Sequence, residues 1–200
     1  MAYNSINNFL SEVRFAGLAK PNRFEVMIAN PPCVQNGNWG RRVSMFCDQT
    51  SLPVAQIITA RQQLFGPPEF LPVGIDFGGQ SFGMQFYVDR QMTVKQYFDL
   101  WVQGIIDPVT YVANYQNNYI TTIWVNQLDE ADNVNYSIQI NGAYPTVVAP
   151  LNVDHSQANT VHKLSVTFAF RNWTVAPVTS YFDDIGAPAA SSQSFFTSIL

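Results

Sequence analysis

Two stretches in which apolar and polar residues alternate, at 134–141 and 163–171, constrain the fold of this 200-residue chain most strongly. The apolar side chains recur at every second position: Val134, Tyr136, Ile138 and Ile140, then Leu164, Val166, Phe168 and Phe170. Successive side chains of a β-strand point to opposite faces of its sheet, so this period of two predicts two half-buried strands.

The second face of these strands is uncharged over most of its length. Its small or amide side chains are Asn135, Ser137 and Gln139 in the first stretch and Ser165 and Thr167 in the second. A face exposed to bulk water usually carries charges, so these five residues indicate a surface that meets something else.

Composition leads to the same expectation. Charged residues form 12% of the chain, about half of the roughly 25% found in ordinary globular proteins. A chain with so little charge is expected to bury much of its surface against partners. A neutral-polar monomer rich in Asn, Gln, Ser and Thr is the alternative that composition leaves open.

The charge distribution argues against a DNA- or RNA-binding protein of the usual electrostatic kind. The chain has ten Lys and Arg residues and fourteen Asp and Glu residues, for a net charge of −4. The Lys and Arg residues are not clustered in the sequence. Phosphate binding depends on clustered cations. This balance is compatible with a protein that nucleic acid slides past.

No secretion signal or membrane-length apolar run is visible, so we expect a cytosolic chain without a membrane anchor. In that compartment Cys33 and Cys47 are expected to be reduced thiols, although a disulfide between them stays open.

The remaining patterns predict a mainly β (α+β) fold. Amphipathic stripes indicate helices over 4–16 and from Thr93 to about residue 107, the second beginning with a Thr93–Gln96 capping box. Further strands are predicted at 23–29, 42–48, 55–62, 82–88 and 119–125. Many short strands with one or two packed helices favour an antiparallel β-sandwich or barrel-like domain, which we place at residues 1–173, followed by an extended tail over 174–200.

Two apolar segments lie outside this pattern. Residues 64–72 carry Leu64, Phe65, Phe70 and Leu71 among three prolines, which exclude a central strand. The segment is therefore either a loop folded back onto its own core or an arm that packs against a neighbouring subunit. Near the end of the tail, Phe195 and Phe196 predict an apolar anchor.

Candidate chemistry is sparse. Residues 129–132 spell Asp-Glu-Ala-Asp, but the Gly-Lys-Ser/Thr phosphate loop of a nucleotide-hydrolysing enzyme is absent, which favours a solvated acidic turn. His155 and His162 have no neighbours that would complete a metal site or a catalytic triad. We therefore predict no catalytic residue, no metal and no cofactor, and a building block or binding module rather than an enzyme.

The order of several motifs resembles the tail tube protein family of contractile-tailed bacteriophages, including its relatives at the baseplate end of the tube. The motifs are Lys-Pro-Asn-Arg-Phe-Glu-Val at 20–26, Leu-Pro at 52–53, a Trp-bearing helix around Trp101, Ile-Asn-Gly-Ala-Tyr-Pro at 140–145, and Leu-Ser-Val-Thr-Phe-Ala-Phe-x-x-Trp at 164–173.

This resemblance implies hexameric rings that stack into a tube inside a virion tail assembled in the host cytoplasm. The expected partners are other copies of the chain, a tail sheath protein, a tape-measure protein, and baseplate and tail-terminator proteins. DNA would pass through the lumen without specific binding, so the five neutral residues become candidates for the lumen or an interface. Leu64, Phe65, Phe70, Leu71, Phe195 and Phe196 become subunit-interface candidates.

Two alternatives remain. The proline-rich segment and the tail favour a tube-end or baseplate adaptor of the same family. A carbohydrate- or receptor-binding sandwich using Trp39 and Trp124 is the second.

Overall fold

The computed structural model describes residues 6–34, 39–63, 66–154, 156 and 160–176. This part of the chain contains four α-helices and nine strands. The helices are α1 (Ile6–Ala16), α2 (Trp39–Met45), α3 (Thr93–Ile105) and α4 (Gln116–Tyr119). The strands are β1 (Phe24–Ile28), β2 (Cys47–Thr50), β3 (Gln56–Gln62), β4 (Glu69–Asp76), β5 (Ser81–Tyr87), β6 (Thr121–Leu128), β7 (Val134–Val148), β8 (Lys163–Ala169) and β9 (Asn172–Ala176).

The main architecture is a pair of antiparallel layers that share the long strand β7. In the first layer, here called sheet A, the strand order is β1-β6-β7-β9. In the second, sheet B, the order is β7-β8-β5-β2. Strands β3 and β4 form a separate two-stranded sheet. The predicted mainly β, antiparallel fold class is confirmed.

Strand β7 passes from one layer to the other at a bend near Gly142, whose φ is +66°. Before the bend β7 pairs with β9, with Ile140 opposite Trp173, and after it with β8, with Tyr144 opposite Ala169. The Arg171 N–H donates to the Asn141 carbonyl at 3.0 Å and closes the corner. Residues 134–176 therefore include a long bent ribbon that belongs to both sheets.

The core lies between the two sheets. The predicted inward side chains of β8, Leu164, Val166 and Phe168, are buried, as are Ile138 and Ile140 of β7. At the start of β7 the predicted face is not buried: Val134 is half-buried and Tyr136 is 37% exposed, where the pairing of β7 with β6 shifts between Gln127 and Leu128.

Helix α3 completes the core with an aromatic stripe. Tyr97, Phe98 and Trp101 are fully buried, and the ring of Phe168 lies 5.9 Å from that of Phe98. The Trp101 Nε1–H donates to the Tyr119 carbonyl at 2.8 Å. The predicted apolar stripe of this helix is therefore confirmed.

The prediction that Thr93 caps the start of α3 is wrong. Thr93 makes no capping hydrogen bond of the predicted kind; the N-cap is Met92, at a φ of +57° and without a side-chain cap. Asp89 takes the role, since its Oδ1 accepts from the Val94 N–H at 3.3 Å.

The predicted strand at 42–48 is also wrong over most of its length. Helix α2 begins at Trp39, and only β2 is extended. The local reason is Ser44, whose hydroxyl donates to the Gly40 carbonyl at 2.7 Å and accepts the Ile28 N–H at 2.9 Å. That hydroxyl ties the helical turn to the end of β1.

The domain also extends past the predicted boundary at residue 173. Strand β9 continues to Ala176, which pairs with Ser137 of β7. Most of the predicted tail, residues 177–200, lies outside the described residues.

The Gly142→Ala substitution tests the bend. A methyl group there would lie 3.2 Å from Arg171 Cβ and would force alanine into left-handed backbone geometry. We expect a loss of about 1–3 kcal/mol in the free energy of unfolding, measured by urea denaturation. Gly83→Ala in β5 is the matched control, because open space surrounds that position. Equal stability of the two variants would contradict this account of the bend.

Candidate subunit interfaces

The β3–β4 hairpin stands out because every residue of its two strands is exposed. All seven positions of β3 and all eight of β4 face solvent. The exposed set contains six apolar side chains: Ile57, Ile58, Phe70, Leu71, Val73 and Ile75. An isolated two-stranded hairpin is at best marginally stable in water. The hairpin is therefore an arm that gains stability when another surface covers it.

Two of the apolar residues predicted in 64–72 are described, and both are exposed. Phe70 is 66% exposed and Leu71 41%, so these two side chains do not pack on the core of their own subunit. Their contact with a neighbouring subunit stays a prediction. Glu69–Asp76 forms strand β4, which the sequence pattern did not predict. Pro72 is tolerated opposite Thr59 because the register shifts there and the sheet has only two strands.

The base of the arm is fixed to the corner of the β7–β9 ribbon. The Trp173 Nε1–H donates to the Val54 carbonyl at 3.3 Å, just before β3. Just after β4, the ring of Phe77 lies 6.3 Å from Trp173 and 6.5 Å from Phe170. The Phe-x-x-Trp sequence therefore anchors the arm to the domain.

The other predicted interface residues cannot be placed in the same way. Leu64, Phe65, Phe195 and Phe196 lie outside the described residues. Conversely, Ile57, Ile58, Val73 and Ile75 were missed as interface candidates. The available signal was the Gly66-Pro67 turn between two apolar runs, which is typical of a hairpin.

The five neutral strand-face residues divide between two surfaces. Asn135, Ser137 and Gln139 belong to the sheet A part of β7, whereas Ser165 and Thr167 belong to β8 in sheet B. Because the core lies between the sheets, their outer faces point in opposite directions. One set at most can line a common lumen.

Ser137 does not belong to an accessible surface. It is fully buried, and its hydroxyl donates to Asn126 Oδ1 at 2.7 Å. Asn126 is also fully buried, and its Nδ2 has no hydrogen-bond partner in the described part of the chain. This pair holds β6 and β7 in register, so Ser137 is withdrawn as a lumen or interface residue.

The remaining outer face of sheet A is nearly free of charge. Met27, Trp124, Gln139 and Thr174 follow one another across β1, β6, β7 and β9. The neighbouring row contributes the single carboxylate of Glu25, opposite Asn126.

The outer face of sheet B is different because it carries an ion pair. Lys163 Nζ lies 2.6 Å from Asp48 Oδ2 and 4.8 Å from the centre of the Tyr87 ring. The hydrogen bond from Lys163 is the main reason that the pKa of Asp48 is lowered.

The Asp-Glu-Ala-Asp sequence forms a turn with ion pairs at its surface. Glu130 binds Lys20 at 2.6 Å, and Asp132 binds Arg23 at 2.7 Å. Backbone N–H groups of Asn133 and Ala131 lower the pKa of Asp129. These contacts give the acidic residues a structural role in joining the start of β1 to the β6–β7 turn.

The other residues weighed in the sequence show ordinary packing. Trp39 packs against the core and Trp124 is half-buried. Cys33 and Cys47 are free thiols, and burial raises the pKa of Cys47 to about 12. His162 is exposed, while His155 lies outside the described residues.

Two features are absent from the described residues. No helix there is both long and apolar enough to cross a membrane. That part of the chain also holds no group of three His, Cys, Asp or Glu side chains placed to bind a metal ion.

The Ser137→Ala substitution tests the structural role of that serine. It leaves the buried amide of Asn126 without the Ser137 hydroxyl, so we expect a loss of about 1–3 kcal/mol in the free energy of unfolding. Gln139→Ala, two residues away on the same face and only half-buried, serves as the control and should change stability by less. A Ser137→Ala subunit as stable as the control would contradict this role.

Comparison with known proteins places this fold. A sequence model of the family described as phage tail tube protein matches residues 19–176. No curated protein sequence matches the chain.

Solved structures with a similar fold come from contractile injection systems. A chain of the sheath-tube complex of the extracellular contractile injection system PVC, in its extended state, is 13% identical, with a TM-score of 0.57 over 88% of this chain and 99% of that one. A chain of the PVC sheath/tube terminator is 12% identical, with a TM-score of 0.56 over 80% and 97%. A chain of the anti-feeding prophage baseplate is 11% identical, with a TM-score of 0.54 over 82% and 98%.

At these identities the structural likeness concerns the fold alone, whereas the family match spans most of the described residues. The sandwich, the projecting arm and the family match lead to one conclusion: the chain belongs to the phage tail tube protein family, whose members are structural tail components.

Proposed function

We propose that this chain is the subunit of an inner tail tube, in which hexameric rings stack to form a conduit for DNA. The observation that carries the proposal is the β3–β4 hairpin, an arm with six large exposed apolar side chains. A surface of this kind requires a neighbour, and each copy in a ring or stack provides one.

Ring closure uses the free edges of sheet A. In the described chain, β1 forms one edge and β9 the other. Neighbouring strands within the sheet are antiparallel, so β1 and β9 run in opposite directions. A second copy that places its β1 beside β9 therefore continues the antiparallel pattern, and a closed ring removes both exposed edges.

The outer face of sheet A is the lumen surface in this proposal. Its Met27, Trp124, Gln139 and Thr174 row offers no cation to phosphate, and Glu25 weakly repels it. Sheet B, with Lys163 paired to Asp48, then faces outward.

The proposed partners are other copies of the chain within and between rings, a tape-measure protein inside the tube and a sheath protein outside it. Baseplate and terminator proteins would occupy the two ends. The tube would be assembled in the host cytoplasm and carried in the virion. The similar folds in a sheath-tube complex, a sheath/tube terminator and a baseplate support the sheath, terminator and baseplate partners of this proposal.

A tube-end adaptor is the second candidate, favoured by the residues that flank the family match, 1–18 and 177–200. Negative-stain electron microscopy of the purified chain separates the two. Long hollow tubes identify the repeated subunit, and single or paired rings identify the adaptor. Monomers that remain monomeric at high concentration would contradict both.

The Phe70→Asp substitution tests the arm. A carboxylate in place of the exposed Phe70 ring cannot be buried in a neighbour without a large desolvation cost, so we expect tube formation to fail. Val161→Asp is the matched control, because Val161 is also 66% exposed but lies outside the arm. Sedimentation and microscopy measure assembly, while circular dichroism checks that both subunits remain folded. Normal tubes with Asp at position 70 would contradict the proposed arm contact.

Lysine substitutions on the two outer faces test which sheet lines the lumen. Gln139→Lys places a cation on sheet A and should slow DNA passage, whereas Thr167→Lys places one on sheet B and should not. The readout is DNA ejection and plaque formation by phage carrying each change, with tube assembly confirmed by microscopy. The reverse result would assign the lumen to sheet B.

A further inference from the structure

Helix α1 presents an apolar stripe that the described chain leaves open to solvent. Ile6 is 77% exposed, Phe9 64% and Leu10 44%, with Val13 one turn further along the same face. The helix has only 11 residues. Isolated helices shorter than about 12–15 residues are marginal in water, so α1 needs a surface that covers its stripe.

A groove on the same chain has the character such a stripe requires. It lies between the last turns of α3 and the loop that follows, and Gly104, Asp107, Val112, Ala113 and Tyr115 contribute to its walls. Gly104 contributes backbone only, because a Cβ there would lie 2.7 Å from Cys33 Cβ. Val112 and Tyr115 are exposed at 65% and 84%.

Internal hydrogen bonds preform the groove. The Asn114 N–H donates to the Ile105 carbonyl at 2.8 Å, and the Tyr111 N–H donates to the Asp107 carbonyl at 2.8 Å. The Asp107 carboxylate accepts the Val109 N–H at 2.8 Å. Little loop entropy therefore remains to be lost on binding.

The two surfaces also agree in charge. Residues 1–11 carry no charged side chain, and neither do residues 108–128. Arg14 in the last turn of α1 flanks the stripe, four residues after Leu10, and Asp107 flanks the groove. Neither of these two has an ion-pair partner within the described ranges, although each could pair with the other.

We propose that α1 of one subunit docks, by its Ile6, Phe9, Leu10 and Val13 stripe, in the groove between α3 and loop 106–115 of a neighbouring copy. The inference rests on the proposed function, since it takes a second copy as the occupant. Every copy carries one helix and one groove, so a repeated assembly fills every groove and covers every helix. Residues 1–18 precede the family match, which makes this contact an addition to the matched domain.

Cysteine cross-linking of the full-length chain tests the contact. Phe9→Cys and Val112→Cys are introduced into separate copies that carry different tags and the changes Cys33→Ala and Cys47→Ala. The two are mixed, assembled and treated with a short bismaleimide. Leu10→Cys with Tyr115→Cys provides a second pair, in case Phe9 is needed for assembly itself.

We expect products that contain both tags, at least about tenfold more abundant than with Ser11→Cys, which lies on the opposite face of α1. Assembled tubes without excess cross-links would overturn the docking while leaving the proposed function intact. A further variant carries Phe9→Cys and Val112→Cys in the same chain. Its cross-linking within single, unassembled chains would also overturn the docking, because the helix would then cover its own groove. Failure of the unmodified chain to form rings or tubes would overturn both proposals.

Discussion

The turn of β7 at Gly142 is the constraint on which the rest of the fold depends. One strand supplies backbone hydrogen bonds to β6 and β9 on one side of the bend and to β8 on the other. The two sheets are thereby held face to face over one core. The same corner places Phe170 and Trp173 beneath the β3–β4 hairpin. A single left-handed glycine thus links the core to the surface that a neighbour must cover.

Much of this fold could be predicted from the sequence. A strand that buries one of its faces carries an apolar residue at every second position. Strands β1, β5 and β8 each bury alternate side chains, and each was predicted. The same reasoning gave a wrong prediction for helix α2, because the apolar residues Val43, Met45 and Cys47 occupy every second position, as in a strand. What decides its structure is the Ser44 hydroxyl, which bridges Gly40 and Ile28 through contacts that no periodicity reveals.

The candidate surfaces, like the fold, could be predicted from the sequence only in part. Alternation separates one face of a strand from the other, but it carries no information on which layer a strand joins. Gln139 and Thr167 therefore looked equivalent in the sequence, although they lie on opposite sides of the molecule. The sequence pattern did not distinguish Ser137 from Gln139. In the structure the Ser137 hydroxyl donates a buried hydrogen bond to Asn126 of the adjacent strand. Both differences depend on which strands pair with each other. The alternation of apolar and polar residues does not specify that pairing.

The uncovered hairpin has a kinetic consequence. The core is complete within one subunit, whereas the arm is exposed there and, in the proposed tube, is stabilised when a neighbour packs on it. The first copies to meet must order their arms while few contacts compensate for the lost chain entropy, but a copy that joins an existing end finds its binding surface already in place. Growth of such a polymer is therefore faster than its initiation. Tube number is then set by the supply of starting platforms, while free subunits persist as a soluble pool until one is available.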